Sequence, residues 1–368
     1  MRLVSIQHCV PGMILAKDIY DESGVILIAK GMELTPRFIR RMSQMGVTHL
    51  FVIDDATEGI EPLETVSLEV RKEVMSAIHD SLDSLLIEEP WRNKVQRPAE
   101  LHKRLLQSVH LIIDELKTQP TTLLMLGNIY VTDHELYKHS YQVMLYSLAL
   151  GFRMGYNDQE LAEQGLGAIF HDVGKQMIPS EILNKPGKLT EEEFQLVQQH
   201  TWTGFQILRK QPELSLLVAH CALQHHERID GSGYPRQLLE EDIQPYAQVV
   251  AIADVYDALT SNRVYRGAML PHEAYEILLA GSGKLFNPKM IEVFHKTISM
   301  YPIGMSVRLS TGELGVVVDV HSNIPERPVI RVLYDANGEP YCKICERDLS
   351  KQLHVMIEEV DVPLPFSN

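Results

Sequence analysis

The sequence predicts a mostly α-helical protein with a small α/β unit at the N-terminus and a small β unit at the C-terminus. Three observations lead to this. Between residues 65 and 300 apolar side chains recur at helical spacing, as in Val66, Val70, Val74, Ala77 and Ile78, and again in Leu101, Leu105, Val109, Ile112 and Leu116. Strand-like runs are confined to the stretches before residue 54 and after residue 303. A chain of 368 residues has room for two or three domains.

In chain order, residues 1–60 form the α/β unit. Ile14-Leu15-Ala16 and Val25–Ile28 read as strands. Thr35 caps a helix that starts with Pro36 and ends at Gly46, and His49–Ile53 is a last strand. Residues 55–65 read as an acidic linker, and residues 61–120 form a helical connector packing on the core. Residues 121–302 are the main helical domain, with helices near 121–131, 134–153, 158–171, 190–210, 213–226, 245–261, 271–280 and 288–300. Pro179, Pro186-Gly187, Gly231, Gly233 and Pro235 break that pattern into irregular loops. Residues 303–368 form the β unit. It has strands at Val307–Leu309, Gly315–Val318 and Val329–Leu333 and a turn at Asn337-Gly338.

Hydrophobic residues make up 45% and charged residues 23%, which excludes disordered, collagen-like and disulfide-stapled chains. The net charge of −15 argues against wrapping a nucleic-acid polymer. No window of 18 residues is free of charge, so no membrane insertion is expected, and a poor signal-peptide pattern points to the cytoplasm. Cys342 and Cys345 form an isolated C-x-x-C, read as two ordinary thiols. The acidic surplus lies mainly in residues 61–302, which hold 32 acidic and 22 basic side chains. The same stretch holds the histidine cluster: seven of the 16 histidines fall between His134 and His226.

The embedding of these residues points to metal chemistry. His171-Asp172 follows the apolar run Leu166–Phe170, and Asp254 closes the apolar run Val249–Ala253. A buried ionised carboxylate is costly unless it is paired or bound to a metal. Glu135 and His139 share a helix face, His200 lies on a third helix, and His225-His226 end a fourth. Helical bundles build di-metal sites from side chains on facing helices, and imidazole with carboxylate suits Fe, Mn or Zn. The competing reading is a set of buried hydrogen-bonded networks.

His171-Asp172-Val173-Gly174-Lys175 resembles the HD-x-G-K signature of the HD superfamily of metal-dependent phosphohydrolases. His225-His226-Glu227-Arg228-Ile229-Asp230-Gly231-Ser232-Gly233-Tyr234-Pro235 is similar to the HHE-x-x-DG-x-GYP motif of its HD-GYP subfamily. The stretch Ile182–Thr190, the spacing from His200 to Gly204 and the block Asp254–Arg266 also match. In that last block Val264 stands where the subfamily's R-P-Y-R has proline. The resemblance covers roughly residues 130–300. The N-terminal unit also looks like a module that often precedes HD-GYP domains.

The resemblance implies an HD-type helical bundle and a cyclic di-GMP phosphodiesterase with two or three divalent metal ions, Fe or Mn first. It implies His139, His171, Asp172, His200, His225, His226 and Asp254 as ligands, Asp172 bridging. It adds Glu135 if a third ion binds; otherwise Glu135 is a solvated acid in a first helical turn. Two metals together would activate water and stabilise the leaving oxygen, giving 5′-pGpG and, after a second cut, GMP. Lys175 would bind the scissile phosphate or help protonate the leaving oxygen. Asp257 would orient a ligand, water or Lys175, and Arg263 and Arg266 would clamp a phosphate unless they are merely solvated. Gly233 and Tyr234 belong to a substrate-side or partner-side loop, with a plain structural turn as the alternative. Another cyclic dinucleotide such as cyclic GMP-AMP, or a catalytically weak receptor, stays open. A signalling protein partner at the GYP loop and a homodimer stay open as well.

Overall fold

A computed structural model describes residues 1–20, 26–62, 65–85, 97–118, 135–185, 187–261 and 267–364. The chain divides into two compact units. One holds residues 1–65 and 298–368, and the other holds the helices between them.

In the first unit β1 (Arg2–Ser5) pairs antiparallel with β4 (His49–Val52), and β2 (Ile19–Tyr20) pairs with β3 (Ile26–Ile28). Helix α1 (Pro36–Gln44) starts as its sequence dictates, with the Thr35 hydroxyl accepting from the Phe38 N–H and proline in the first turn. Met13, Leu15, Leu34, Met42 and Val52 form its buried core. The expected strand at Ile14–Ala16 is absent. Ile14 and Leu15 make only isolated bridges, to Glu33 and Val52. Pro11 and Gly12, the latter at φ +95°, turn the chain immediately before them and leave too little length for a ladder.

After residue 303 the β unit is a five-stranded antiparallel sheet of β5 (Ser306–Leu309), β6 (Leu314–Asp319), β7 (Val329–Tyr334), β8 (Pro340–Asp348) and β9 (Ile357–Val360). Their order is β8-β7-β6-β5-β9. Pattern reading finds the three apolar strands and misses β8 and β9, which are rich in charge. The two termini, read from sequence as separate units at 1–60 and 303–368, pack as one. The Leu3 N–H donates to the Gly304 carbonyl at 2.8 Å, and the Ser5 N–H donates to Asp361 at 3.3 Å.

The second unit is helical. It comprises α2 (Leu68–Ser84), α3 (Arg97–Thr118), α4 (Glu135–Arg153), α5 (Asp158–Phe170), the short α6 (Ser180–Leu183), α7 (Glu191–Leu208), α8 (Leu216–Gln224), α9 (Pro245–Thr260), α10 (Pro271–Ala280) and α11 (Pro288–His295). The helix expected near 121–131 lies outside the described residues. Helix α11 ends five residues before the expected 300. Thr297-Ile298-Ser299 follow it, two β-branched residues and a serine that favour leaving a helix. Helix α5 runs through the middle, packed on α3, α4, α8 and α9. Its first turn is polar, but its C-terminal half, Gly165–Phe170, is wholly apolar or small and buried. A stretch apolar on all sides belongs in a core, and this one carries His171 and Asp172 out of its C-terminal end into the interior.

Two glycines set how closely the site helices approach. The helical turn Val173–Met177 lies against α7. A Cβ on Gly174 would stand 2.0 Å from the His200 carbonyl oxygen and 2.7 Å from the Gly204 nitrogen. Only a residue without a side chain lets the chain two residues after Asp172 come this near to the backbone of His200.

Candidate metal centre

Five segments deliver the site. His139 comes from α4, His171 and Asp172 from the end of α5, and His200 from α7. His225 and His226 follow α8, and Asp254 and Asp257 lie on α9. Seven of these side chains sort into two groups able to hold a cation: Asp172 with His200, His225 and His226, and His139 with His171 and Asp254. Ligand atoms within each group lie within 4.8 Å of one another.

Asp172 joins the two groups. It is 1% exposed. Its Oδ1 faces His200 Nε2 at 3.4 Å and His225 Nε2 at 3.6 Å, while its Oδ2 faces His171 Nε2 at 3.3 Å and His139 Nε2 at 3.5 Å. Asp254 Oδ1 stands 3.2 Å from His139 Nε2 and 3.9 Å from His171 Nε2. Each carboxylate oxygen of Asp172 therefore addresses a different set of imidazoles.

The protons can be placed by elimination. His171 Nδ1 lies 2.7 Å from the Ala168 carbonyl, His200 Nδ1 2.6 Å from that of Val197, and His225 Nδ1 3.0 Å from that of Cys221. A carbonyl only accepts, so each Nδ1 carries the hydrogen and each Nε2 presents a lone pair inward. His200 and His225 then point two lone pairs at each other across 3.3 Å. His139 Nε2, His171 Nε2 and Asp172 Oδ1 are buried without a hydrogen-bond partner among the described residues. Native interiors rarely tolerate such a collection, and a cation between the groups would satisfy all of these atoms. The donor set thus fits bound divalent metal.

The electrostatics agree. Burial draws His200 down to about 3 and also lowers His225 and His226, so these imidazoles are neutral ligands at neutral pH. Burial alone would raise Asp172, but the Lys175 ammonium and His171 outweigh it and hold the carboxyl well below its usual range. His139 moves the other way. Although burial opposes a charge there, hydrogen bonds to Asp172, Asp254 and Asp257 raise it well above an ordinary histidine. Three carboxylates around one ring demand positive charge at that spot.

Around the centre, Lys175 Nζ bonds to Asp172 Oδ2, and Asp257 Oδ2 accepts from His139 Nδ1 at 2.7 Å. Gly233 and Tyr234 lie on the wall of an adjoining cavity of about 720 Å³ that reaches the centre at His226. Tyr234 stacks on the His226 ring at 4.6 Å. Gly233 is required for close approach: a Cβ there would lie 2.4 Å from the Arg228 nitrogen. The positive φ values in this loop belong to Gly231, at +78°, and Gln237, at +56°. The side chain of Glu135 lies outside the described residues, as do Arg263 and Arg266.

Sequence reasoning missed Glu227. It is buried, and its carboxylate accepts from the Arg236 N–H at 2.7 Å and the Leu238 N–H at 3.0 Å, which closes the loop behind His226. Its place directly after two expected ligands was the available signal. It also missed Arg228, whose guanidinium donates to the His225 and Glu227 carbonyls.

Comparison with known proteins completes the description. Residues 128–290 match the HD domain family, and residues 306–364 match a KOW domain associated with HD domains. A cyclic di-GMP phosphodiesterase of Pseudomonas aeruginosa is 38% identical over 232 residues, covering 62% of this chain and 56% of that protein. A 3′3′-cGAMP-specific phosphodiesterase of Vibrio cholerae is 35% identical over 189 residues, covering 51% of this chain and 36% of that protein. The chain thus spans about half or less of the length of these relatives. An HDG"Y"P protein from Bdellovibrio bacteriovorus shares the fold with a TM-score of 0.51 at 16% identity, covering 79% of this chain and 97% of that one.

Proposed function

We propose that this chain, which carries an HD domain of the HD-GYP type, is a metal-dependent phosphodiesterase that opens cyclic di-GMP to 5′-pGpG and then to GMP in bacterial second-messenger signalling. The observation that carries the reading is Asp172, whose two oxygens face two separate groups of inward-pointing imidazoles. Bound there, a pair of divalent ions would supply an activated water and neutralise charge on the phosphoryl oxygens. His139, His171 and Asp254 would hold one ion, and His200, His225 and His226 the other, with Asp172 shared. Fe or Mn suits this donor set, and Glu135 would serve a third ion.

The chain's own residues do the rest. Asp257 fixes the tautomer of His139 so that Nε2 faces inward. The backbone carbonyls of Ala168, Val197 and Cys221 do the same for the rings of His171, His200 and His225. Lys175, at the mouth of the site, offers its charge to a phosphate oxygen and a proton to the departing 3′ oxygen. Water oxygen joins phosphorus, the bond from phosphorus to the 3′ oxygen breaks, that oxygen gains the proton from Lys175, and the proton shed by the water passes to solvent, from which Lys175 is reprotonated. Arg263 and Arg266 would clamp the second phosphate, and Gly233 and Tyr234 would face the substrate.

The second substrate reading is cyclic GMP-AMP, favoured by the Vibrio cholerae relative named for it. Among the described residues no helix is long and apolar enough to cross a membrane, which supports a cytoplasmic setting for a nucleotide substrate. A signalling partner at the GYP loop and a homodimer are extensions of the same reading. The decisive test is anaerobic loading with Fe or Mn followed by chromatography of products from cyclic di-GMP and cyclic GMP-AMP. A linear dinucleotide is expected from cyclic di-GMP. No product from either, with metal bound, would overturn the proposal.

A further inference from the structure

Helix α7 has two unlike sides. His200 and Gly204 are buried toward the centre, while Phe194, Gln198 and Trp202 form an outward stripe at i, i+4 and i+8. The outward side of such a helix is ordinarily charged. Here residues 194–208 contain no Asp, Glu, Lys or Arg, directly after the run Glu191-Glu192-Glu193 and directly before Arg209-Lys210. Trp202 is 51% exposed and Phe194 41%.

This stripe forms one wall of the cavity of about 720 Å³ that reaches His226, and the loop from Arg228 to Gln237 forms the other. The volume is that of a small-molecule site. Among the described residues no carboxylate lines it, although the chain carries a net charge of −15. Its polar groups include four amides (Gln195, Gln198, Gln199 and Gln237), and its one cation among the described residues is Arg228. One face of the Tyr234 ring is already covered by His226. Phe194 and Trp202 are the remaining aromatic surfaces; Phe194 meets Tyr234 edge-on, and Trp202 is the broader and more exposed of the two.

Resting on the phosphodiesterase reading, we propose that this cavity seats one purine base of the cyclic dinucleotide, with Trp202 as the stacking platform and Gln198 reading the base edge. Each feature follows from purine chemistry. Base stacking on an aromatic face is favourable for any base. A glutamine amide offers both donors and an acceptor, so it can tell the edge of guanine from that of adenine. A wall without carboxylates admits a ligand whose phosphates are anionic.

The test uses the metal-loaded full chain with three substrates: cyclic di-GMP, cyclic di-AMP and methyl p-nitrophenyl phosphate, a diester without a base. Trp202→Ala is expected to raise KM for cyclic di-GMP about tenfold while kcat changes less than about twofold. Cleavage of the base-free diester should stay within about twofold, and Trp202→Phe should recover most of the lost affinity. Gln198→Ala should narrow the kcat/KM preference for cyclic di-GMP over cyclic di-AMP about tenfold. An unchanged KM in Trp202→Ala overturns the subsite and leaves this face to protein docking. Parallel loss of both activities also overturns it, because the residue would then act through the metal centre or the fold. A wild-type chain that cleaves only the base-free diester defeats the cyclic dinucleotide reading on which the subsite rests.

Discussion

The helical unit and the terminal unit each bury a carboxylate, and the two are finished differently. Glu313, 5% exposed beside the five-stranded sheet, accepts from Thr311 Oγ1 at 2.6 Å, Tyr341 OH at 2.9 Å and Arg347 Nη2 at 2.6 Å. Every strong neighbour of that carboxylate is a donor. Asp172, 1% exposed, takes one donor, Lys175 Nζ, at its Oδ2, while its Oδ1 faces two imidazole lone pairs with no donor among the described residues. The first arrangement is complete and holds strands together. The second is complete only when a cation is added. What separates a structural acid from a functional one is whether the protein itself supplies its partners.

Three experiments press on that contrast, beginning with the largest effect. Replacing His171 and Asp172 together by alanine should drop metal content below one ion per chain and cut phosphodiesterase activity at least roughly a thousandfold. Elemental analysis with a turnover assay reads both, and full activity would end the metal assignment. Asp257→Asn should weaken metal affinity roughly 10–100-fold by freeing the His139 ring, measured by competition with a chelator. Unchanged affinity would make Asp257 a bystander.

Glu313→Ala should do the reverse of these. It should cost about 2 kcal/mol of stability and leave activity intact. The pH dependence has a definite sign. Burial opposes ionisation of Glu313, but Arg347, Thr311 and Tyr341 outweigh it and hold its carboxyl below the usual range. Its stabilisation is therefore present above the ordinary glutamate value of about 4.3 and lost as pH falls below it. Denaturant titrations between about pH 5 and pH 3 should show the wild type losing stability more steeply than the variant.

Helical period is local, and so the elements of the second unit were readable in advance. The apolar run before His171 and the prolines and glycines that break the helical pattern act within a few positions of chain, as do the Asn157 and Thr190 caps that the structure adds. Strands β8 and β9 escaped because charged side chains on edge strands hide the alternation that pattern reading needs. Ile14–Ala16 misled because a short apolar run says nothing about whether a partner strand lies alongside.

The sequence alone determined the kind of protein: a helical core, terminal units of sheet, and seven histidines and acids in the order of the HD-GYP motifs. Only the tertiary structure decided that His139 from α4 and Asp254 from α9 meet His171, that Asp172 turns one oxygen to each group, and that an uncharged stripe on α7 closes a cavity against the GYP loop. The reason is physical. Spacing along a helix fixes which face a residue takes, but the angle and depth at which helices pack fix which faces meet, and at Gly174 and Gly233 that depth depends on backbones that touch.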